Sequence, residues 1–81
     1  MTKTVRVRYF ALLREQRGLS EETVATGASS VRELYEELRA AHGLSFPAER
    51  MRVAVNDEFG GWDSVVSDGD LLVFIPPVAG G

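Results

Sequence analysis

Ser30-Val31-Arg32-Glu33 opens, and Gly43 closes, the segment of this chain with the clearest period. Serine followed three residues later by glutamate is a capping box, which satisfies the orphan N–H groups of a helix start. Apolar residues then recur at Val31, Leu34, Leu38 and Ala41, with Tyr35 beside them. That spacing is one apolar stripe, so the sequence predicts a helix over roughly residues 31 to 42. Gly43 stands where a left-handed residue ends a helix. A lone amphipathic helix cannot bury its own stripe. It needs an apolar surface opposite, and the rest of the chain offers one mostly as short alternating segments. The predicted class is therefore α+β, one main helix on one mixed sheet.

Residues Thr4 to Tyr9 alternate, with Val5, Val7 and Tyr9 on one side and Arg6 and Arg8 on the other. The pattern breaks at Phe10-Ala11-Leu12-Leu13-Arg14-Glu15, a short helical turn ending near Gly18. Glu22 to Thr26 read as a second strand, close enough to pair with the first as a hairpin. The crossover through the helix then allows a parallel neighbour. Arg52 to Asn56 alternate again. Asn56-Asp57-Glu58 and Gly60-Gly61 supply turn chemistry on either side of Phe59, Trp62 to Val66 reads as a short strand, and Ser67-Asp68-Gly69-Asp70 is a turn. Leu71 to Ile75 is apolar on both faces, as expected of a central strand.

The chain contains no cysteine, which removes disulfides, thiolate metal sites and a cysteine nucleophile. A domain of 81 residues without such staples must hold by packing alone. The net charge of −3 argues against a nucleic-acid partner. No apolar run approaches the roughly 20 residues that a membrane helix needs. The opening Met1-Thr2-Lys3-Thr4 carries no apolar leader, so the expected location is cytoplasmic.

Candidate chemistry in the body is sparse. His42, the one histidine, falls at the end of the helix, where a cation complements the dipole. Glu21-Glu22 and Glu36-Glu37 read as solvated surface, because adjacent residues point in different directions. Asp68 and Asp70 are too few for a metal site, and no metal is expected. Arg6, Arg8 and Arg14 read as exposed charge, with Arg14 also able to dock an acidic partner. Phe10, Phe59 and Trp62 lie near expected turns and serve either the core or an interaction patch.

The last six residues, Pro76-Pro77-Val78-Ala79-Gly80-Gly81, follow an apolar strand directly. Proline cannot continue a ladder, so the chain leaves the sheet at Pro76 and Pro77. Gly80 and Gly81 have no side chains and can thread a slot too narrow for a Cβ. Six extended residues span roughly 20 Å. The alternative is a frayed chain end. The expected organisation is a body over 1–75 and an extended arm over 76–81 ending in a carboxylate. That carboxylate is a poor electrophile until another protein activates it, for instance as an acyl-adenylate.

The helix, Val53-Ala54-Val55-Asn56, Asp68-Gly69-Asp70, the opening Val7-Arg8-Tyr9-Phe10-Ala11-Leu12-Leu13-Arg14-Glu15 and above all Phe74-Ile75-Pro76-Pro77-Val78-Ala79-Gly80-Gly81 resemble the molybdopterin synthase small subunit, the MoaD type of sulfur carrier. The resemblance implies a ubiquitin-like β-grasp fold. It implies that an E1-like adenylyltransferase (MoeB type) uses ATP to adenylate the Gly81 carboxylate, and that a sulfur donor converts it to a thiocarboxylate. Val78 and Ala79 would enter the active site of a large subunit (MoaE type) with the rest of the arm. There cyclic pyranopterin monophosphate becomes the dithiolene of molybdopterin, within a heterotetramer. The chain itself would bind no cofactor and act as a sulfur-donating subunit rather than an enzyme alone. By position, Phe10, Phe59 and Ile75 match residues that pack on the large subunit. A thiamine-thiazole carrier (ThiS type), a ubiquitin-like modifier and a passive β-grasp interaction module are the competing readings.

Overall fold

Alternation over β1 (Lys3–Tyr9) turns Val5, Val7 and Tyr9 to one face, where each is at most 1% exposed. The computed structural model describes residues 2–77; the expectations for Val78, Ala79, Gly80 and Gly81 lie outside the described residues. After β1 come α1 (Ala11–Arg17), β2 (Glu21–Thr26), α2 (Val31–His42), a 3-10 turn at Ala48–Arg50, β3 (Arg52–Val55), β4 (Glu58–Gly60) and β5 (Leu71–Ile75). The sheet order is β2-β1-β5-β3-β4. β1 and β2 form the expected hairpin. The parallel pair is β1 with β5, at the centre. The α2 crossover itself leads to β3, which runs antiparallel to β5, so the parallel neighbour arises two strands later than the sequence suggested.

The core lies between α2 and one sheet face. Val31, Leu34, Tyr35 and Leu38 of α2 meet Val5, Val7, Val53, Leu72 and Phe74. Ala41, expected in the buried stripe, is exposed near the helix end, where the stripe has passed the edge of the sheet. Phe74 is the hub, with ring centroids of Tyr35 at 5.0 Å, Trp62 at 5.8 Å and Tyr9 at 6.4 Å. Trp62 stacks on Phe74 at an interplanar angle of 4° and packs against the core, so it belongs there rather than to an interface.

The predicted strand over Trp62 to Val66 is not one. Asn56 and Asp57 both adopt positive φ, 52° and 73°, and close a two-residue hairpin turn. The return strand therefore starts at once, at Glu58, and Gly60 pairs with Val53 inside it rather than forming a turn. A Cβ at Gly60 would meet the Val55 side chain at 3.3 Å, so close approach explains that glycine. Residues beyond it fold back and cap α2. Ser64 and Trp62 carbonyls accept from Val31 and Arg32 N–H, while Ser30 Oγ accepts from Glu33 N–H. The reciprocal half of the box is shifted by one residue, because the Glu33 carboxylate takes the Ser29 N–H. Those bonds hold the Glu33 carboxyl below its usual value.

Asp68-Gly69-Asp70 acts as a latch. Asp68 Oδ1 accepts from Thr4 N–H at 2.7 Å, and Gly69, at φ 87°, donates its N–H to Thr4 O. The nearly buried Asp70 carboxylate accepts from Asn56 Nδ2 and Ser67 N–H, and Asn56 Oδ1 accepts from Leu71 N–H. One turn thus ties β1, β5 and the β3–β4 hairpin together.

Glu22 is not the solvated group the sequence suggested. It faces the helix side, accepts from the buried Tyr9 hydroxyl at 2.6 Å and pairs with Arg17 of α1 through two hydrogen bonds. Glu37 likewise accepts from Thr26 Oγ1. The Arg17 guanidinium, with help from Tyr9, holds the Glu22 carboxyl below its usual value, while burial pushes the Tyr9 hydroxyl up. A depressed carboxylate stabilises the fold above its unfolded value near 4.5, and that contribution disappears as pH falls through the folded value. Glu22→Gln is therefore expected to lower the melting temperature at pH 7 and to lose less than the wild type as pH drops from about 5 to 3. Parallel melting curves for the two proteins across that range would contradict the clamp.

Candidate functional site

The ladder ends where proline removes its donor. Ile75 pairs with Arg52 as the last residue of β5, and Pro76 and Pro77 carry the chain off the sheet. Beside this exit β1 also ends. Phe10 is extended, Ala11 adopts a left-handed φ of 52°, and the chain turns sharply into α1. A left-handed alanine is strained. Phe10 is left 47% exposed and Leu12 41%, while Leu13 is fully buried.

These residues form one side of a groove. Phe10, Leu12, Phe46, Ile75, Pro76 and Pro77 line an apolar cavity of about 470 Å³. On the other side of the Ile75–Pro77 ridge lies a second groove of about 520 Å³. Its lining includes Arg50, Arg52 and Phe59. Phe59 stands on the open sheet face at 71% exposure, with the Arg52 guanidinium 5.8 Å from its ring centroid. The structure thus brings Phe10, Ile75, Pro76 and Pro77 together, and sets Phe59 against the same ridge from the far side. Arg14 lines neither groove. It is exposed on α1, and its carbonyl accepts from the Gly18 N–H that caps the helix. His42 is half-buried at the end of α2.

Sequence reasoning missed Leu12, Phe46, Arg50 and Arg52. One signal was present for Leu12. Two consecutive leucines on a seven-residue helix lying on a sheet point in different directions, so both cannot be buried. Among the described residues no three His, Asp or Glu side chains converge as metal ligands, and no helix is long and apolar enough to cross a membrane. The described part of the site is an apolar and cationic collar around the start of the arm, with no nucleophile and base in contact. It can hold and present the arm, and the chemistry must come from what the arm carries or meets.

Residues 7–81, the collar and the whole arm included, match the ThiS family. The chain belongs to the ThiS family. Over 80 residues this ThiS-family chain is 31% identical to the molybdopterin synthase sulfur carrier subunit of Escherichia coli (strain K12), covering 95% of this chain and 99% of that one. Its fold superposes with a TM-score of 0.75 on a Pyrococcus furiosus protein described as molybdopterin converting factor subunit 1. That protein is 31% identical over 94% of this chain and 99% of its own. A complex of subunits 1 and 2 of molybdopterin-converting factor from Helicobacter pylori 26695 contains a similar chain. There the identity is 29%, the TM-score 0.63, and the coverage 96% of this chain and 99% of that one. The mixed five-stranded sheet on α2 is the ubiquitin-like β-grasp fold.

Proposed function

We propose that this chain is the sulfur-carrying small subunit of a molybdopterin synthase. The observation that carries the reading is the match to the Escherichia coli sulfur carrier subunit across 95% of this chain and 99% of that one. The family match that runs through residue 81 adds to it. In this reading residues 1–75 are the holder and residues 76–81 the arm. A carboxylate oxygen of Gly81 attacks the α-phosphorus of ATP on an E1-like enzyme, and pyrophosphate leaves. The acyl carbon, no longer anionic, accepts a sulfur nucleophile from a donor, and AMP leaves with the bonding pair. The product is a thiocarboxylate at the same oxidation level of carbon. Gly80 keeps the arm thin enough to enter the partner's active site. There the sulfur passes to cyclic pyranopterin monophosphate, and water restores the carboxylate. Two loaded carriers, delivered in succession, supply the two sulfurs of one dithiolene, within a heterotetramer built on a large-subunit dimer. All of this chemistry belongs to the cytosol.

The apolar groove supports the pairing. A large subunit covering Phe10, Leu12 and Ile75 would bury apolar surface at the root of the arm and aim it. Phe10→Asp is expected to weaken binding of the large subunit by more than about tenfold, because a carboxylate would be desolvated there. Since Phe10 is half-exposed in the free chain, its melting temperature should change little. Unchanged affinity in calorimetry, with a folded variant, would remove Phe10 from the interface.

Reconstitution tests the function. The chain, an E1-like enzyme, ATP, a sulfur donor and the large subunit are expected to convert cyclic pyranopterin monophosphate to the dithiolene. Failure with the loaded chain, together with sulfur delivery in a thiazole-forming assay, would assign the chain to thiamine synthesis. Isopeptide-linked adducts in place of a thiocarboxylate would make it a protein modifier.

A further inference from the structure

The apolar groove is assembled from segments that no ladder joins. Phe10 and Leu12 flank the start of α1, while Phe46 belongs to the connection between α2 and β3. Residues 43–47 of that connection contain no helix or strand. Side chains fix its place instead. The Tyr35 hydroxyl of α2 donates to Phe46 O, and Arg39 Nε donates to Leu44 O at 3.2 Å. Both bonds tie the connection to α2. Toward α1 the tie is one residue. Gln16 Nε2 donates to Ser45 Oγ at 2.7 Å, and Gln16 Oε1 accepts from Ser45 N–H at 3.0 Å. Among the described residues no other hydrogen bond joins α1 to this connection. The remaining anchors of α1 lead elsewhere: Leu13 is fully buried, and Arg17 pairs with Glu22 of β2.

Gln16 lies four residues after Leu12, so the two share one face of α1, a turn apart. Ser45 is the immediate neighbour of Phe46. The Gln16 amide therefore spans from the helix that carries one wall to the residue beside the other. A primary amide suits this task, because it holds an acceptor for a backbone N–H and a donor for a hydroxyl side by side. We infer that Gln16 is a positioning residue, whose clasp on Ser45 fixes Phe46 relative to Leu12 and keeps the groove in its binding shape. The inference rests on the pairing with the large subunit proposed above. Neither Gln16 nor Ser45 lines the groove, so the clasp acts through Leu12 and Phe46 rather than by touching the partner. A groove already shaped for its partner avoids the cost of ordering a loop and its side chains on association.

A double-mutant cycle on large-subunit binding, read by titration calorimetry with the full chain, is the test. Gln16→Ala is expected to weaken affinity about three- to tenfold, the range to which the net worth of one or so hydrogen bonds converts. Ser45→Ala leaves the backbone bond and should lose about twofold. Gln16→Ala/Ser45→Ala should lose no more than Gln16→Ala alone, because both changes open one clasp. Gln16→Asn keeps the amide on a shorter stem and should bind as weakly as Gln16→Ala. Gln16→Glu should stay within about twofold of the wild type, since its carboxylate can accept from both the Ser45 N–H and the Ser45 hydroxyl. Melting temperatures within about 4 °C of the wild type establish that the variants fold. Unchanged affinity of Gln16→Ala would overturn the inference. So would losses that multiply in the double variant, because Gln16 would then act on the partner directly. A wild-type chain that does not bind the large subunit would remove the proposed pairing, and the inference with it, a result distinct from either of these.

Discussion

Removal of Gly81 is expected to abolish the proposed sulfur loading and to leave the melting temperature within about 3 °C of the full chain. The two halves of this expectation have separate physical grounds. Loading needs a carboxylate at the end of an arm that fits the activating site, and a chain one residue shorter falls short by about 3.3 Å. A near-attack geometry tolerates far less than that, and a misplacement of even 1 Å costs on the order of a hundredfold in rate. Stability, by contrast, is assembled before the arm begins. The ladder ends at Ile75, and among the described residues the apolar cluster contains none beyond Phe74, with Pro76 the one further buried position. Differential scanning fluorimetry and an exchange assay on the same sample separate the halves. A drop of more than about 10 °C would mean that the terminus is part of the fold rather than an appendage to it.

Phe74→Ala has the opposite profile, unfolding the domain while touching no proposed chemistry. Phe74 is fully buried, between Tyr9 of β1 and Val53 of β3, against Tyr35 of α2. It also stacks face to face with Trp62. Truncating a buried phenylalanine costs about 3–5 kcal/mol. A domain of this length is held by only about 4–12 kcal/mol. The melting temperature should fall by more than about 12 °C. Trp62 is the only tryptophan and touches the site of change, so its fluorescence follows the loss directly. A variant that melts within about 4 °C of the wild type would show that the aromatic cluster is not the keystone of the core.

Much of this fold can be read from residue order because local and global preferences agree. The α2 stripe, its serine cap and Gly43 act within one turn of the chain, and the helix spans Val31–His42 as that pattern predicts. Alternation likewise locates β1, β2 and β3, and an unbroken apolar run locates β5. The segment after Phe59 departs from the sequence pattern for a definite reason. Residues 62–66 contribute backbone carbonyls to the α2 N-terminus, and carbonyls leave no trace in side-chain pattern. Glu22 shows a related limit. Alternation turns it to the helix face and Glu21 to the open face, yet nothing near it in sequence reveals the Tyr9 hydroxyl and Arg17 that hold it.

The site was legible to a similar degree. The prolines that end the ladder are explicit, and resemblance drew attention to Phe10, Phe59 and Ile75. The two grooves were hidden, because each is assembled from segments distant in the chain. Phe46 and Leu12 meet across the end of β5 only when the sheet order is known. Arg52 joins Phe59 through the hairpin that Asn56 and Asp57 close. Binding residues gathered from separate loops carry no common period, whereas core residues do.

Intact-mass spectrometry of the chain after incubation with ATP, an E1-like enzyme and a sulfur donor tests the central claim most directly. The account predicts a gain of about 16 Da, the exchange of one oxygen for sulfur in a terminal acyl group, localised to the peptide ending at Gly81 and absent when ATP is withheld. An unchanged mass under conditions in which the same enzyme loads a known carrier, or sulfur found on any other residue, would contradict it.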